Sequence, residues 1–254
     1  MNQLFNLKGK VAIVTGGAGS LGNAIAVGLA KQGADVVVCG RTASKLDQVA
    51  AEVVKTGSQA LAVVCDVTDE NSVAALVEKT LQKFSHIDIL VNAAGINIRS
   101  TPEAFTLADW KKVMEFNAMG TFLCCQTVGK QMIKQKSGKI INVSSIRGRF
   151  AAPAGGAAYC PSKGAVDSLT RALAIEWARY NIYVNAIAPA LIHTELTQAV
   201  IDNKELAKTV LSRIPLNRFG LPEDLLGPVI LLASEASNYM TGQILYVDGG
   251  SSSG

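Results

Sequence analysis

A serine pair, a tyrosine and a lysine in the second half of the sequence have the side chains needed to move a proton. Tyr159 and Lys163 are four residues apart, so on a helix they face the same side, one turn from each other. An isolated tyrosine has a pKa near ~10, and a nearby ammonium stabilises the tyrosinate and lowers that pKa. Ser144 and Ser145 end the preceding predicted strand, where a hydroxyl would hold a substrate oxygen. The pattern indicates a general acid–base site for making or breaking an alcohol O–H bond.

A glycine-rich turn near the start of the chain has the context of a nucleotide site. The apolar run 11–14 predicts a short buried strand, residues 15–22 read TGGAGSLG, and Leu21, Ile25 and Leu29 begin a helical pattern. A strand, a glycine turn and a helix in this order place backbone N–H groups at a helix N-terminus, where they bind a pyrophosphate. The order therefore predicts a dinucleotide-binding unit.

Taken together, these motifs resemble the short-chain dehydrogenase/reductase family in its single-domain, classical form, over residues 8–250. The family's T-G-x-x-x-G-x-G is present as TGGAGSLG, its N-A-A-G as residues 92–95, its active-site pair as Tyr159 and Lys163, and its helix asparagine as Asn117. The resemblance implies an NAD(P)-dependent oxidoreductase that transfers a hydride between the nicotinamide and a secondary alcohol or ketone.

The resemblance also implies a role for each catalytic side chain. In alcohol oxidation Tyr159 takes the hydroxyl proton as tyrosinate, and Lys163 lowers the tyrosine pKa and holds the nicotinamide ribose. Ser145 fixes the substrate oxygen, and Asn117 holds a water that relays protons onward from Lys163. We favour Ser145 over Ser144 because alternation along the strand aims one of the two at the pocket, although Ser145 lies fourteen residues before Tyr159, one more than the family's usual spacing.

A larger set of residues is assigned to the cofactor by the same resemblance. Ser20 stands where the family usually has its middle glycine, and Ala190 replaces a second usual glycine. Asp66 is alternatively a helix cap. The set comprises Gly16, Gly19, Ser20, Leu21 and Gly22 at the pyrophosphate, Arg41, Thr42, Asp66 and Val67 at the adenosine, Asn92, Ala93, Ala94, Gly95, Tyr159 and Lys163 at the nicotinamide ribose, and Pro189, Ile192 and Thr194 at the carboxamide.

The end of the second predicted strand favours NADP(H) over NAD(H). An acidic residue there would bind the ribose 2′-OH, but the chain has Gly40 followed by Arg41. An arginine pairs well with a 2′-phosphate, and Thr42 adds a donor at the start of the next helix. The alternative is that Arg41 is solvated and that the enzyme accepts both cofactors.

Residues near the catalytic serine favour a small polar substrate that is sugar-like or anionic. Arg147 and Arg149 follow the serine, and two arginines there would clamp a carboxylate, sulfonate or phosphate. Alternatively, one or both face solvent or a subunit interface. Asn97 and His193 are further candidates for the pocket lining. The alternative activity is a 3-oxoacyl-thioester reductase, and the non-enzymatic alternative is a nucleotide-binding scaffold or sensor.

Composition narrows the class of protein further. The chain has 254 residues, of which 49% are hydrophobic and 17% charged, with a net charge of +4. The basic cluster of Lys130, Lys134, Lys136 and Lys139 lies at the predicted end of a helix, where it opposes the helix dipole, so we expect no nucleic-acid partner. With no apolar run of membrane length, we expect a cytoplasmic protein that contacts no membrane.

Metal and disulfide sites are not expected. The five cysteines include no C-x-x-C pair, and the chain has only two histidines. This spacing fits neither a disulfide framework nor a zinc site, so the cysteines are predicted to be buried, reduced thiols.

The elements that must position these residues alternate along the chain. Near-continuous apolar strands suit a parallel sheet that is covered on both faces, and strand–helix alternation implies a doubly wound sheet. The predicted strands lie near 10–15, 35–40, 60–65, 87–92, 138–144, 182–188 and 243–247, and the predicted helices near 20–32, 43–56, 70–84, 108–135, 157–180 and 222–235, with a less regular stretch at 194–218.

The fold prediction is therefore α/β: a single Rossmann-like domain over residues 1–254, with a mainly parallel, seven-stranded sheet and helices on both faces. The cofactor half spans roughly 8–135 and the catalytic half roughly 136–250. The family resemblance implies a homotetramer, formed through the helices 108–135 and 157–180 and the last strand region. Pro161 predicts that the tyrosine helix begins close to Tyr159 or is distorted there.

Overall fold

The buried apolar runs of the sequence form seven strands in one sheet. In the computed structural model, which describes residues 3–151, 155–195 and 197–253, the strand order is β3-β2-β1-β4-β5-β6-β7 and every neighbouring pair is parallel. The predicted doubly wound sheet is thus confirmed. The strands are β1 (Val11–Thr15), β2 (Asp35–Gly40), β3 (Ala60–Val64), β4 (Ile89–Asn92), β5 (Gly138–Val143), β6 (Ile182–Pro189) and β7 (Ile244–Val247).

Helices cover both faces of this sheet. Alternation along β1 shows the two layers, because Ala12 and Val14 belong to one apolar core whereas Val11 and Ile13 belong to the other. The helices are α1 (Ser20–Lys31), α2 (Ala43–Lys55), α3 (Glu70–Phe84), α4 (Leu107–Met114), α5 (Gly120–Gln135), α6 (Tyr159–Trp177), α7 (Gln198–Asp202), α8 (Lys204–Leu211) and α9 (Leu226–Ala233).

The predicted helix over 108–135 is interrupted. A π-helical segment, Glu115–Met119, separates α4 from α5, and its extra residue per turn shifts the faces of the two helices relative to each other. Apolar periodicity runs through this segment, which is why the sequence predicted one helix. The segment contains Asn117, so the irregularity lies at a candidate catalytic residue.

Three further boundaries differ from the prediction. The helix expected over 157–180 begins at Tyr159, as predicted from Pro161, which falls in the first turn, where its missing N–H costs no hydrogen bond. It ends at Trp177, before the 3₁₀ turn Ala178–Tyr180. The helix expected over 222–235 begins with the 3₁₀ turn Pro222–Leu225. The stretch 194–218 contains the short helices α7 and α8, each of which buries little apolar surface.

The sheet brings the candidate residues to one edge. β1 and β4 are neighbours in the sheet, but the strand that follows β1 lies on one side of this pair and the strand that follows β4 lies on the other. Ligands of such folds bind at this switch point, outside the carboxyl ends of the strands. The glycine turn follows β1, residues 93–95 follow β4, the serine pair follows β5, and Pro189 ends β6. Among the helices of the described residues, none is long and apolar enough to cross a membrane.

Candidate active site

Ser145 and Tyr159 meet beyond the end of β5. Ser145 caps the 3₁₀ turn Ile146–Gly148, and its hydroxyl accepts a hydrogen bond from the Arg147 N–H at 3.2 Å. Tyr159 is the half-buried first residue of α6. Burial raises the pKa of Tyr159, whereas a hydrogen bond with Ser145 and the positive charge of Arg147 lower it. A substrate oxygen bound by both hydroxyls would therefore sit beside a cation.

The serine pair points in two directions. Ser144 Oγ donates to Asp167 Oδ1 at 2.5 Å, in the interior, whereas Ser145 faces Tyr159 and lies 3.4 Å from the Pro189 carbonyl oxygen. This is the alternation expected at the end of a strand. It supports the interpretation that Ser145 holds the substrate oxygen.

Lys163 lies one turn along α6 from the tyrosine and is buried. Its Nζ donates to the Val143 carbonyl at 2.8 Å and lies 5.8 Å from the centre of the Tyr159 ring. Burial lowers the pKa of Lys163 to about 8, and the charge of Asp167 opposes that shift. A lysine with this pKa can change protonation state near neutral pH, which suits a proton relay. A Cβ on Gly95 would lie only 3.6 Å from Nζ, so a larger residue there would fill the space beside the ammonium.

Asn117 joins the π-helical segment to two other parts of the site. Its Oδ1 accepts from the Ile96 N–H at 2.8 Å, and its Nδ2 donates to the Ile96 carbonyl at 2.9 Å and to Ser162 Oγ at 3.0 Å. Its main-chain carbonyl accepts from Thr121 at 2.7 Å. Both hydrogens of the side-chain amide are engaged, whereas Oδ1 and the main-chain carbonyl oxygen each accept one of these bonds, so a bound water would donate to a second lone pair on one of these two oxygens.

Gly16 and Gly22, at the two ends of the glycine turn, leave no room for a side chain. Gly16 has a φ of +67°, and a Cβ there would lie 2.8 Å from the backbone of Ala94. A Cβ on Gly22 would collide with the Gly16 carbonyl oxygen. Helix α1 begins at Ser20 after the cap residue Gly19, so no capping side chain covers the N–H groups of Ser20 and Leu21. The turn therefore fits a pyrophosphate at a helix N-terminus.

The adenosine end is formed by the ends of β2 and β3. Arg41 is exposed, with Cζ 5.3 Å from the centre of the Phe116 ring. Hydrogen bonds from Thr68 hold the pKa of Asp66 below its ordinary value, and the charge of Arg41 adds to this effect. Asp69, not Asp66, caps α3, so the helix-cap alternative for Asp66 is wrong. Thr42 caps α2 without a side-chain bond, which leaves its hydroxyl for a ligand.

Val67 follows β3, and residues 92–94 end and follow β4, at the carboxyl edge of the sheet. Val67 packs against α5, since a Cβ on Gly120 would lie 2.9 Å from its Cγ2. Asn92 Nδ2 donates to Asn142 Oδ1 at 2.9 Å and thereby joins β4 to β5. Ala93 and Ala94 follow directly, and the Ala94 N–H donates to Thr15 Oγ1 at 3.2 Å. These small residues keep the chain close to the glycine turn.

Thr197, which the sequence analysis did not identify, fixes the conformation of the loop after Pro189. Thr197 Oγ1 donates to the Ile192 carbonyl at 2.6 Å and accepts from the Thr194 N–H at 2.9 Å. Ile192 also forms a β-bridge with Gly220. A threonine hydroxyl can bond the main chain several residues before it, but nothing in the sequence distinguishes Thr197 from the other threonines of the chain.

The four candidates for the substrate pocket have different surroundings. Arg147 is half-buried, donates to the Ala151 carbonyl and acts on Tyr159. Arg149 is exposed, with its guanidinium 5.5 Å from the Phe150 ring centre. Asn97 Oδ1 is buried with no hydrogen-bond partner in the described part of the chain, so it is free to accept from a ligand or a water. His193 is exposed and lies 2.9 Å from Gln198 Oε1, and it lines a surface recess together with Thr194, Leu221 and Pro222.

Comparison with known proteins gives matches over almost the whole chain. Residues 16–252 match the family model described as enoyl-(acyl carrier protein) reductase. The 2-dehydro-3-deoxy-D-gluconate 5-dehydrogenase of Dickeya dadantii is 44% identical over 250 residues, which cover 97% of this chain and 96% of that enzyme. The 3-oxoacyl-[acyl-carrier-protein] reductase of a Synechocystis species is 41% identical over 246 residues, covering 96% and 97% respectively.

A solved structure agrees with the fold throughout. The gluconate 5-dehydrogenase of Burkholderia cenocepacia, in complex with NADP and tartrate, superposes with a TM-score of 0.96 at 38% identity and covers 100% of this chain and 99% of its own. The relatives thus include enzymes of sugar acids and an enzyme of acyl thioesters.

Proposed function

The chain belongs to the short-chain dehydrogenase/reductase family, and we propose that it interconverts a hydroxyl and a ketone on a small sugar acid of the gluconate type, using NADP(H). One observation carries the choice of substrate: the half-buried Arg147 lies in the turn that Ser145 caps, and its N–H donates to the Ser145 hydroxyl at 3.2 Å. Its positive charge also lowers the pKa of Tyr159. A carboxylate a few bonds from the reacting carbinol would meet a guanidinium there. Oxidoreductase activity on CH–OH groups agrees with the names of these relatives.

Each catalytic side chain has a defined part in this reaction. When bound, the nicotinamide accepts the hydride in oxidation and donates it in reduction. In oxidation Ser145 holds the substrate oxygen, and Tyr159 Oη takes its proton. The Lys163 ammonium stabilises the tyrosinate, and its pKa of about 8 allows it to pass the proton on. We retain Asn117 as the residue that anchors the next water through its main-chain carbonyl. Reduction reverses these steps.

An acyl-thioester reductase is the second candidate, because one relative of comparable identity carries that name. A screen of sugar acids, neutral sugars and 3-oxoacyl thioesters, with NADPH or NADP⁺ absorbance as the readout, separates the candidates. The highest kcat/KM on a hydroxy- or keto-acid supports the proposal. A thioester as the best substrate, or a neutral sugar turned over equally well, contradicts it. Binding of NADP(H) with no turnover of any class would favour a scaffold or sensor.

Arg41→Ala is expected to raise the Kd for NADP(H) about tenfold or more and to leave the Kd for NAD(H) nearly unchanged. The reason is that the change removes a charge-assisted contact to the 2′-phosphate, and hydrogen bonds to charged groups are worth about 1.5–3 kcal/mol. Fluorescence titration of both reduced cofactors measures this. Lys45→Ala, which removes an exposed cation of α2, is the matched control.

Gly40→Asp is the complementary change. A Cβ at Gly40 would meet Leu46 at 3.6 Å and Ala18 at 3.9 Å, which are ordinary contacts, so the site has room for a side chain. The carboxylate should repel the 2′-phosphate and favour NAD(H). Equal wild-type affinities for the two cofactors, or a preference for NAD(H), would show that Arg41 is merely solvated.

We also propose that the protein is a homotetramer in the cytoplasm, where its five free thiols would stay reduced. Exposed apolar side chains lie on the helices expected at the interface: Leu107 and Trp110 on α4, Phe122 on α5 and Ile175 on α6. Trp177, the last residue of α6, packs against Gly129 of α5 and joins the two helices within one chain.

Light scattering at micromolar concentration should give the mass of four chains. Phe122→Glu should lower that mass, because it places a charge on an apolar contact. Leu206→Glu on α8 is the control, since Leu206 is 41% exposed and Phe122 is 42% exposed. A wild-type mass of one chain, or equal effects of the two variants, speaks against this interface.

A further inference from the structure

A buried carboxylate lies behind the catalytic lysine. Asp167 is four residues after Lys163 on α6, and the two residues are only 4% and 5% exposed. Burying an ionised carboxylate costs free energy unless it is paired and hydrogen-bonded. The reaction described above gives Asp167 no part, so its position requires another explanation.

Asp167 is held from two sides by the segment that follows β5. Ser144 Oγ donates to Oδ1 at 2.5 Å, at the short end of the range for a hydroxyl that donates to a charged acceptor. The second oxygen, Oδ2, faces Gly148 so closely that a Cβ on that residue would collide with it. The same Ser144 hydroxyl lies 3.4 Å from the Lys163 carbonyl. The carboxylate is therefore fixed in place relative to the backbone of the lysine.

The charges near this carboxylate are few. Burial raises the pKa of Asp167, whereas the Ser144 hydrogen bond and the charges of Arg171 and Lys163 lower it. Arg171 is exposed on the same helix. From the neighbouring elements, Ser144 and Gly148 contribute no charge, nor does Asn117 of the π-helical segment, and Arg147 acts on Tyr159. Lys163 Nζ donates to the carbonyl of Val143, the residue before Ser144, so two consecutive residues hold the ammonium and the carboxylate. The charge of Asp167 accordingly raises the pKa of Lys163 against the effect of burial.

We propose that Asp167 is a positioning residue for Lys163: held by Ser144 and by the close approach of Gly148, its carboxylate is the counter-charge that keeps the buried lysine an ammonium at neutral pH. The serine pair then has two functions, since Ser145 contacts the substrate and Ser144 holds the counter-charge. The inference rests on the proposed function, because the ammonium affects catalysis only if Tyr159 exchanges the proton.

Asp167→Asn keeps the size of the side chain and removes its charge. Without the counter-charge, burial should lower the pKa of Lys163 below its present value of about 8, so that less ammonium is present at pH 7. The tyrosinate then loses stabilisation, and the rising limb of kcat in alcohol oxidation should move to higher pH by about one unit. At pH 7 we expect kcat to fall about tenfold and to recover at high pH, with little change in the Kd for NADP(H).

The lysine itself can be titrated without any substrate. NMR of the full chain labelled with [ε-¹³C]lysine gives the midpoint of Lys163, with Lys163→Arg used to assign its resonance. The expected result is a lower midpoint in Asp167→Asn and a smaller decrease in Ser144→Ala, since the latter keeps the carboxylate but loosens it. A purely structural role would instead reduce activity uniformly across pH and leave the Lys163 midpoint unchanged.

An Asp167→Asn protein with the wild-type Lys163 midpoint overturns the proposal. If Asp167→Asn does not fold, a wild-type Lys163 midpoint in Ser144→Ala overturns the proposal. Failure of the proposed function looks different, because the wild type would then turn over no sugar acid while the NMR midpoints still shift.

Discussion

Tyr159→Phe should lower kcat by about 10²- to 10⁴-fold, the usual contribution of a positioned acid or base, and leave NADP(H) binding nearly unchanged. The variant lacks only the hydroxyl that takes the proton, and the ring still packs at the start of α6. Ser145 and Lys163 keep their other contacts, with Pro189 and Val143. The loss should therefore be in the chemical step. Single-turnover kinetics measures the rate of that step, and a fluorescence titration measures the affinity for NADPH separately.

Tyr183→Phe provides the matched control for this prediction. Tyr183 lies in β6, and its hydroxyl donates to Asn181 at 2.8 Å on the surface. Removing that hydroxyl should change kcat little, because a surface hydrogen bond takes no part in the reaction. Equal activity of wild type and Tyr159→Phe would contradict the assignment of the proton-transfer residue. A parallel loss of NADPH affinity would indicate a binding role instead.

The sheet was predictable because each buried strand carries its own signal. Four or more apolar residues in succession, as in 36–38 with their neighbours, are typical of a strand covered on both faces, and the family motifs then fix the strand order. The π-helical segment was not predictable. Its apolar spacing is compatible with an ordinary helix, and the hydrogen bonds of Asn117 to Ile96 and Ser162 join parts of the chain that are far apart in sequence.

Within the site, the sequence identified types of residue better than their partners. The spacing of Tyr159 and Lys163 placed both on one face of a helix. The same spacing from Lys163 to Asp167 did not indicate a buried carboxylate, because aspartates on helices are usually solvated. Only the packing of α6 against the segment after β5 buries it and brings it to Ser144. Likewise, Arg147 and Arg149 were equivalent in the sequence and differ in burial because of the 3₁₀ turn between β5 and α6.

Arg147→Met should raise KM for a sugar acid about tenfold to a hundredfold, since it removes a charge-assisted contact to the carboxylate, and should also lower kcat. Two effects contribute to the fall in kcat. First, the carboxylate no longer aligns the carbinol with the nicotinamide. Second, the positive charge of Arg147 lowers the pKa of Tyr159 in the wild type, so the variant should have a higher Tyr159 pKa. The rising limb of kcat in oxidation should therefore move to higher pH, while the Kd for NADP(H) stays the same.

Arg149→Met is the control, because Arg149 is exposed against Phe150 and its removal should leave KM near the wild-type value. A neutral polyol of similar length gives a second comparison, since it offers no carboxylate for Arg147 to bind. The ratio of kcat/KM between the acid and the polyol should thus decrease in Arg147→Met alone. If both arginine variants lower this ratio equally, the loop acts through its overall charge and neither guanidinium binds the substrate directly. If neither variant changes the ratio, the carboxylate is bound elsewhere. Asn97 Oδ1, which is buried and has no partner within residues 3–151, 155–195 and 197–253, does not bind it, because an amide oxygen accepts a hydrogen bond from a hydroxyl and repels a carboxylate.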